Sequence, residues 1–359
     1  MNKIVTCLKK LSLSLLFVSA ISNAFAQKGK TENLVIVTLD GCRWQDIFRG
    51  ADSALVHGDK YMKDNAALLR KTYWDTDKDA RRKKLMPFVW GEINTKGQLY
   101  GDRDNGSQVS VSNPYNLSAP GYSEIFTGQV DLSLNSNDQV LNQNTNVMEF
   151  LSKQTPFINK TASFGSWDRF PFILNRGRSK YPLNAGYELI EVKPSEVQKT
   201  LNAMTLLAPK TVSLSSRPDY ITYFQAKEYV RLNHPKVFSL SLANTDDMAH
   251  AGNYGFYLDH IHAMDQYIAD LWAQMQADPF YKGKTTMLIT VDHGRGEGDQ
   301  WTSHGPKVAH SNEIWYALIG PDTAPKGEVK TTEVVYQKQL AGMLAKMLGY
   351  NFKSEIVKP

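Results

Sequence analysis

Residues 285–294, TTMLITVDHG, constrain the fold more than any other stretch. Met287, Leu288, Ile289 and Val291 make a short apolar run with threonines beside it, the pattern of a strand buried on both faces of a parallel sheet. The run stops on Asp292-His293-Gly294. An acid and an imidazole are poor packing choices at the end of a buried strand. In open α/β sheets, ligands bind beyond the carboxyl ends of the strands. Carboxylate oxygen and imidazole nitrogen are also the usual non-thiol zinc ligands. Taken alone, the triplet fits equally well a strand-end turn with an exposed histidine.

Two further apolar runs end the same way. Residues 34–39, LVIVTL, lead into Asp40, with Gly41 permitting a tight turn, and residues 237–242 lead through Ala243-Asn244-Thr245 into Asp246. His250 follows Asp246 by four residues, His293 follows Asp292 directly, and His304 and His310 come soon after. Asp247 lacks the four-residue spacing to His250 that Asp246 has. Three carboxylates brought to one sheet edge repel each other unless a cation neutralises them. Two divalent ions, with zinc expected from the nitrogen and oxygen donors, are the economical solution.

Residues 113–128, NPYNLSAPGYSEIFTG, begin as a loop, with a helix expected to start near Gly121. Ser118 then lies just ahead of a helix N-terminus, where free N–H groups favour anions. An N-cap is the ordinary role for such a serine.

The remaining pattern is that of an α/β chain. Residues 256–275 read as a helix with a stripe of Tyr257, Ile261, Met264, Ile268, Leu271 and Met275, which leaves His260 and His262 as expected surface residues. Helices are also expected over 86–93, 142–153 and 337–348, and strands over 108–112, 161–164 and 314–319. The RRKK run at 81–84 reads as a solvated helix face. No internal repeat, low-complexity segment or linker divides the chain. The expectation is therefore one α/β domain over residues 27–359, with a central, mostly parallel sheet flanked by helices on both faces.

The chain opens like an exported protein. Lys3, Lys9 and Lys10 precede an apolar segment over 11–20, and Ala24-Phe25-Ala26 supplies a cleavage pattern, so residues 1–26 read as a signal peptide. Cleavage there leaves 333 of 359 residues and one cysteine, Cys42, which excludes an intramolecular disulfide. The net charge of +5 drops to +2 once the three signal lysines are removed, so the balance points to neither nucleic acid nor an anionic membrane as a partner. No later segment has the roughly 18 apolar residues of a membrane span. A periplasmic location is expected.

Together these residues resemble the alkaline phosphatase superfamily, closest to its type I phosphodiesterase/nucleotide pyrophosphatase branch. The resemblance runs from about residue 34 to 321 in the family's order. LVIVTLDG is similar to the first metal strand, and SAPGYSEIFTG to the nucleophile loop, which reads T-F-P-N-H-Y-S-x-x-T-G in the phosphodiesterase branch. Asp246 with His250 matches the D-x-x-x-H pair, TVDHG the D-H-G pair, and SHG followed by IGP the closing histidine segment.

The resemblance implies a two-metal hydrolase of small phosphoric esters, a phosphatase or phosphodiesterase, with Ser118 as covalent nucleophile. Asp40, Ser118, Asp292 and His293 would bind one metal. Asp246, His250 and a further histidine would bind the other, with His304 preferred to His310. The Ala119 amide would help hold developing charge on the phosphoryl group. The loop has Ala119, Gly121 and Tyr122 where the phosphodiesterase pattern has Phe, Asn and His, so a usual phosphoryl contact is missing. Arg43, Trp167, Arg169 and Arg178 are the available substitutes, each with a packing role as its ordinary alternative. A sulfate ester or phosphonate hydrolase, a phosphoryl transferase, and a non-catalytic metal-binding scaffold are the competing readings. No C-x-P-x-R sulfatase signature is present.

Overall fold

The computed structural model describes residues 29–210 and 213–357; the expected signal segment, 1–26, lies outside them. The strands, in chain order, are β1 (Asn33–Leu39), β2 (Gln98–Tyr100), β3 (Val109–Ser110), β4 (Thr161–Gly165), β5 (Leu183–Ala185), β6 (Val237–Leu242), β7 (Thr285–Thr290), β8 (Glu313–Ile314), β9 (Tyr316–Ile319), β10 (Gly327–Glu328) and β11 (Val335–Tyr336). Eight of them build a central sheet in the order β10-β2-β9-β7-β1-β6-β4-β5, and β11-β3-β8 make a small second sheet. From β7 to β5 all neighbours are parallel, and only β9 opposes its neighbours β7 and β2.

β1 sits at the centre, paired on both edges and buried at all seven residues. That placement requires the unbroken apolar run the sequence supplies. Thr38 pairs with Thr290 of β7, and Leu39 with Leu242 of β6. The residues that follow all three strands therefore leave the sheet at the same edge, which is why Asp40, Asp246 and Asp292 converge. The helix Tyr254–Ala277 lays its apolar stripe on the core, with Tyr257, Ile261, Met264, Ile268, Leu271 and Met275 all buried. No helix among the described residues is long and apolar enough to cross a membrane.

Several elements differ from the sequence expectation. The helix expected over 142–153 is confined to Val147–Ser152. Asn142 accepts from the Asn144 amide and Asn146 caps the helix through the Glu149 amide, so asparagine side chains hold the preceding stretch in non-helical form. The strand expected over 314–319 splits at Trp315. Ile314 pairs with Val109 in the small sheet, Tyr316 pairs with Thr290 and Tyr100 in the large one, and the Trp315 indole donates to the Cys42 carbonyl. Residues 89–93 form a π-type turn. His260 and His262 are half-buried rather than free on the surface, and the His262 ring bonds the Leu85 carbonyl oxygen.

The nucleophile-loop helix is Ser118–Thr127, so Ser118 is its first residue, three positions earlier than expected. Pro120 is tolerated there because the first turn has no N–H partners to lose. Gly121 is required by a close approach: a Cβ at this position would lie 2.3 Å from the Asp292 carbonyl oxygen. The helix is thereby pressed onto the backbone that carries Asp292 and His293. Gly121→Ala is expected to destabilise the protein by about 1–3 kcal/mol, measured by denaturant unfolding. An unchanged midpoint would mean that this contact is easily relaxed.

Candidate metal and catalytic site

Asp40, Asp292, His293 and Ser118 meet at the carboxyl edge of β1 and β7. His293 is fully buried, and Ser118 is 4% exposed. The His293 Nε2 lies 3.4 Å from Asp40 Oδ1, 3.3 Å from Asp292 Oδ2 and 3.2 Å from Ser118 Oγ. Its Nδ1 is 2.9 Å from the Gly294 carbonyl oxygen, which holds the proton on that nitrogen and leaves a lone pair on Nε2. The outer carboxylate oxygens are tied back: Tyr122 donates to Asp40 Oδ2 and the Gly41 amide to Asp292 Oδ1. Gly41 makes that turn at φ +57°, a conformation open to glycine.

The inner oxygens, Asp40 Oδ1 and Asp292 Oδ2, are buried without a hydrogen-bond partner. Two acceptor oxygens and an imidazole lone pair directed at one point have no mutual attraction; a cation between them supplies it. The spacing agrees. Ligands at zinc-like bond lengths in a tetrahedron stand about 3.3–3.4 Å apart. The residues therefore fit a divalent metal.

A second cluster adjoins the first. His250 Nε2 is 3.2 Å from Asp246 Oδ2 and 3.1 Å from His304 Nε2, and His304 Nε2 is 3.8 Å from Asp246 Oδ1. The His304 and His293 rings stack with centroids 3.7 Å apart. His304 Nδ1 is 2.9 Å from the Asn116 carbonyl oxygen, so its Nε2 also keeps a lone pair for the site. Asp246, His293 and His304 each offer a ligand atom within 4.8 Å of one another, close enough for one metal, and the His250 Nδ1 lies 3.4 Å from an Arg295 nitrogen. Arg295, fully buried, donates to Asp246 Oδ1.

The electrostatics follow from burial and crowding. Burial and the Asp246 charge push the Asp40 carboxyl up to about 7. Burial and Asp40 push Asp292 well above the usual carboxylate range. Asp246 is half-buried and partly desolvated, yet Arg295 together with His250 and His304 outweighs that and holds it well below its ordinary value. Burial lowers His293 to about 4, and burial with its neighbour His293 lowers His304 to about 3. Both imidazoles are thus neutral, the form that binds metal.

His310, the alternative to His304, stands apart from the cluster. Its ring pairs with Glu313 at 3.1 Å, and its φ of +68° turns the chain. Asp247 is held by Asn244 at 3.0 Å, and burial raises its carboxyl to about 7.

Arg43, offered as a possible substrate contact, takes the packing role that was its ordinary alternative. It is fully buried with both arms on Asp46, at 2.7 and 2.9 Å, and it packs near Tyr254 and Trp301. A buried acid three residues on captured it. Arg178 is likewise paired with the buried Glu149. Arg169 is better placed, because its Nε donates to the Asn137 carbonyl while the Asn137 side chain accepts from the Ala119 amide at 2.9 Å. The Ala119 N–H is therefore met by Asn137, a residue the sequence did not single out. Arg295 and Tyr122 were also missed. An arginine between Gly294 and Gly296, directly after the strand end, was the available signal for the former.

No family model and no curated protein sequence matches the chain. Solved structures do. Alkaline phosphatase PafA aligns at TM-score 0.59 and 10% identity, covering 92% of this chain and 98% of that one. A protein in the alkaline phosphatase superfamily from Vibrio parahaemolyticus aligns at 0.52 and 15% identity, covering 91% and 68%. The phosphonate monoester hydrolase of Agrobacterium radiobacter aligns at 0.55 and 12% identity, covering 89% and 74%. The parallel strands, the acids at their shared edge and these whole-chain alignments lead to one statement: the chain has the fold of the alkaline phosphatase superfamily.

Proposed function

We propose that the protein is an exported, two-metal hydrolase of small phosphoric esters that works through a covalent phosphoserine on Ser118. The observation that carries this reading is the Ser118 hydroxyl, 3.2 Å from His293 Nε2 and beside the two unpartnered oxygens of Asp40 and Asp292. A pure metal-binding scaffold needs no serine there. Asp40, Asp292, His293 and Ser118 hold one ion; Asp246, His250 and His304 hold the other. Zinc suits the donor set. When bound, the metals supply Lewis-acid activation of the serine hydroxyl, the phosphoryl oxygen and the attacking water.

Ser118 Oγ forms a bond to phosphorus as the ester P–O bond breaks, and the alcohol leaves with a proton. Water then displaces Ser118 from phosphorus, releasing phosphate or the remaining monoester and restoring the hydroxyl. Asn137 orients the substrate. Its Oδ1 is fixed by the Ala119 amide, which leaves the side-chain nitrogen to donate to a phosphoryl oxygen, and Arg169 anchors the Asn137 backbone. This pair takes over the contact missing from the nucleophile loop. Residues 27–359 constitute one catalytic domain, released in the periplasm after cleavage behind Ala26.

The likeness to a phosphonate monoester hydrolase supports a second reading, in which the same machinery cleaves the ester bond of a phosphonate. Purified mature protein should be assayed on chromogenic phosphate monoester, phosphate diester, phosphonate and sulfate esters, with zinc measured in the same preparation. The proposal expects a phosphate ester to be the best substrate and about two zinc ions per chain. Preference for the phosphonate would select the second reading, and no hydrolysis of any ester by zinc-loaded protein would refute both.

A further inference from the structure

Among the described residues, Arg295 is the strong cation that reaches into the cluster of ligands. It has no exposed surface. Its Nε donates to the Trp301 carbonyl at 2.8 Å, one terminal nitrogen to the Thr302 carbonyl at 2.5 Å, and the other to Asp246 Oδ1. Both carbonyls belong to the turn Gly298–Thr302, which ends two residues before His304. The guanidinium therefore straps the segment carrying His304 to the helix Asn244–His250, which carries Asp246 and His250. It cannot swing away without leaving two carbonyls unsatisfied.

We propose that Arg295 is a fixed counter-charge in the second metal position and makes the two positions unequal. The Asp40–Asp292–His293 position fills first and holds its ion tightly. The Asp246–His250–His304 position fills last and exchanges. This rests on the two-metal reading above.

The charges give the order. The first set offers two carboxylates and a neutral imidazole, with both inner oxygens unpartnered. The second offers one carboxylate and two imidazoles, and Arg295 already cancels that carboxylate and occupies its Oδ1. Once deprotonated, as metal binding requires, the first ligand set carries a net charge of −2, and the second, counted with Arg295, carries zero. At a few ångströms in a partly dry site that difference dominates the ranking. The same strap keeps Asp246, His250 and His304 assembled while the position is empty, so weak binding there needs no folding step.

Metal-free protein titrated with zinc against a chromophoric chelator should show two classes of one equivalent each, with dissociation constants about 100-fold apart or more. His250→Ala should remove only the weaker class, and Asp292→Asn should disable only the tighter. Arg295→Gln should tighten the weaker class by about 10-fold or more while moving the tighter by less. Arg295→Lys, which keeps the charge, should leave the weaker class weak. Two equal classes, loss of the weaker class in Asp292→Asn, or an Arg295→Gln protein whose weaker class is unchanged or weaker would each overturn the proposal. If Arg295→Gln does not fold, the wild-type isotherm and Arg295→Lys decide, because equal affinities in either would refute it. A total below two equivalents would instead overturn the two-metal reading itself.

Discussion

Ser118→Ala is expected to lower turnover of the best ester by ~10³-fold or more while zinc content stays close to the wild-type value. The alanine removes the nucleophile and one weak ligand. It leaves Asp40, Asp292 and His293, whose geometry depends on bonds to Tyr122, Gly41 and Gly294 rather than on the serine. Parallel measurement of metal content and kcat separates a chemical defect from a collapsed site. Ser118→Thr keeps a hydroxyl at the first helix position and should retain measurable activity. An alanine variant as fast as wild type would replace the covalent route with direct attack by a metal-activated water.

Removal of metal should abolish activity and make stability strongly dependent on pH. In the metal-free protein burial and the Asp246 charge raise the Asp40 carboxyl to about 7, and burial and the Asp40 charge raise Asp292 well above the usual carboxylate range. Unfolding returns both to ordinary carboxylate values near 3.8. The protonated carboxyls favour the folded state at low pH, and that contribution is lost as pH rises through the folded values. His293 and His304 act in the opposite sense. Their folded values of about 4 and about 3 lie below an unfolded value of 6.5, so their contribution is lost as pH falls below 6.5. Above that pH only the acids act. Chelator-treated protein should therefore lose on the order of 5 °C in Tm between about pH 6.5 and 8.5. Zinc-loaded protein should lose much less, since bound cations hold the carboxylates charged. Calorimetry of both forms across this range tests it, and equal slopes would mean that the acids do not face a common cation.

What could be read from the sequence was whatever is written in local pattern. β1, β6 and β7 are runs of apolar residues with only small Ser, Thr or Asn among them, because parallel central strands are buried on both faces, so their ends could be located to within a residue or two. The acids that follow them needed only the rule that ligands gather at the carboxyl edge. Partnerships made across the fold were not legible. Arg43 looked available until a buried Asp46 captured it, and no spacing announces that Arg295 reaches Asp246 across 49 positions. Asn137 was hidden for the same reason: it lies in a polar loop with no period, and only the fold brings it to Ala119. The early start of the Ser118 helix went unread because two loop-forming residues, Pro120 and Gly121, sit in its first turn.

The adjacency of β6, β1 and β7 at the middle of the sheet has a mechanical consequence. Backbone paired on both sides opens only when the whole molecule does, whereas the half-exposed loop bearing Asn137 can open alone. Asp40 and Asp292 are thus rooted in the most persistent part of the chain, and Asn137, the substrate contact we propose, hangs from a more yielding part. Loop changes can retune what is bound, and how fast it leaves, without disturbing the atoms that do the chemistry. Damage to the central strands has no such graded outcome, because there grip on the first ion and survival of the fold are the same event.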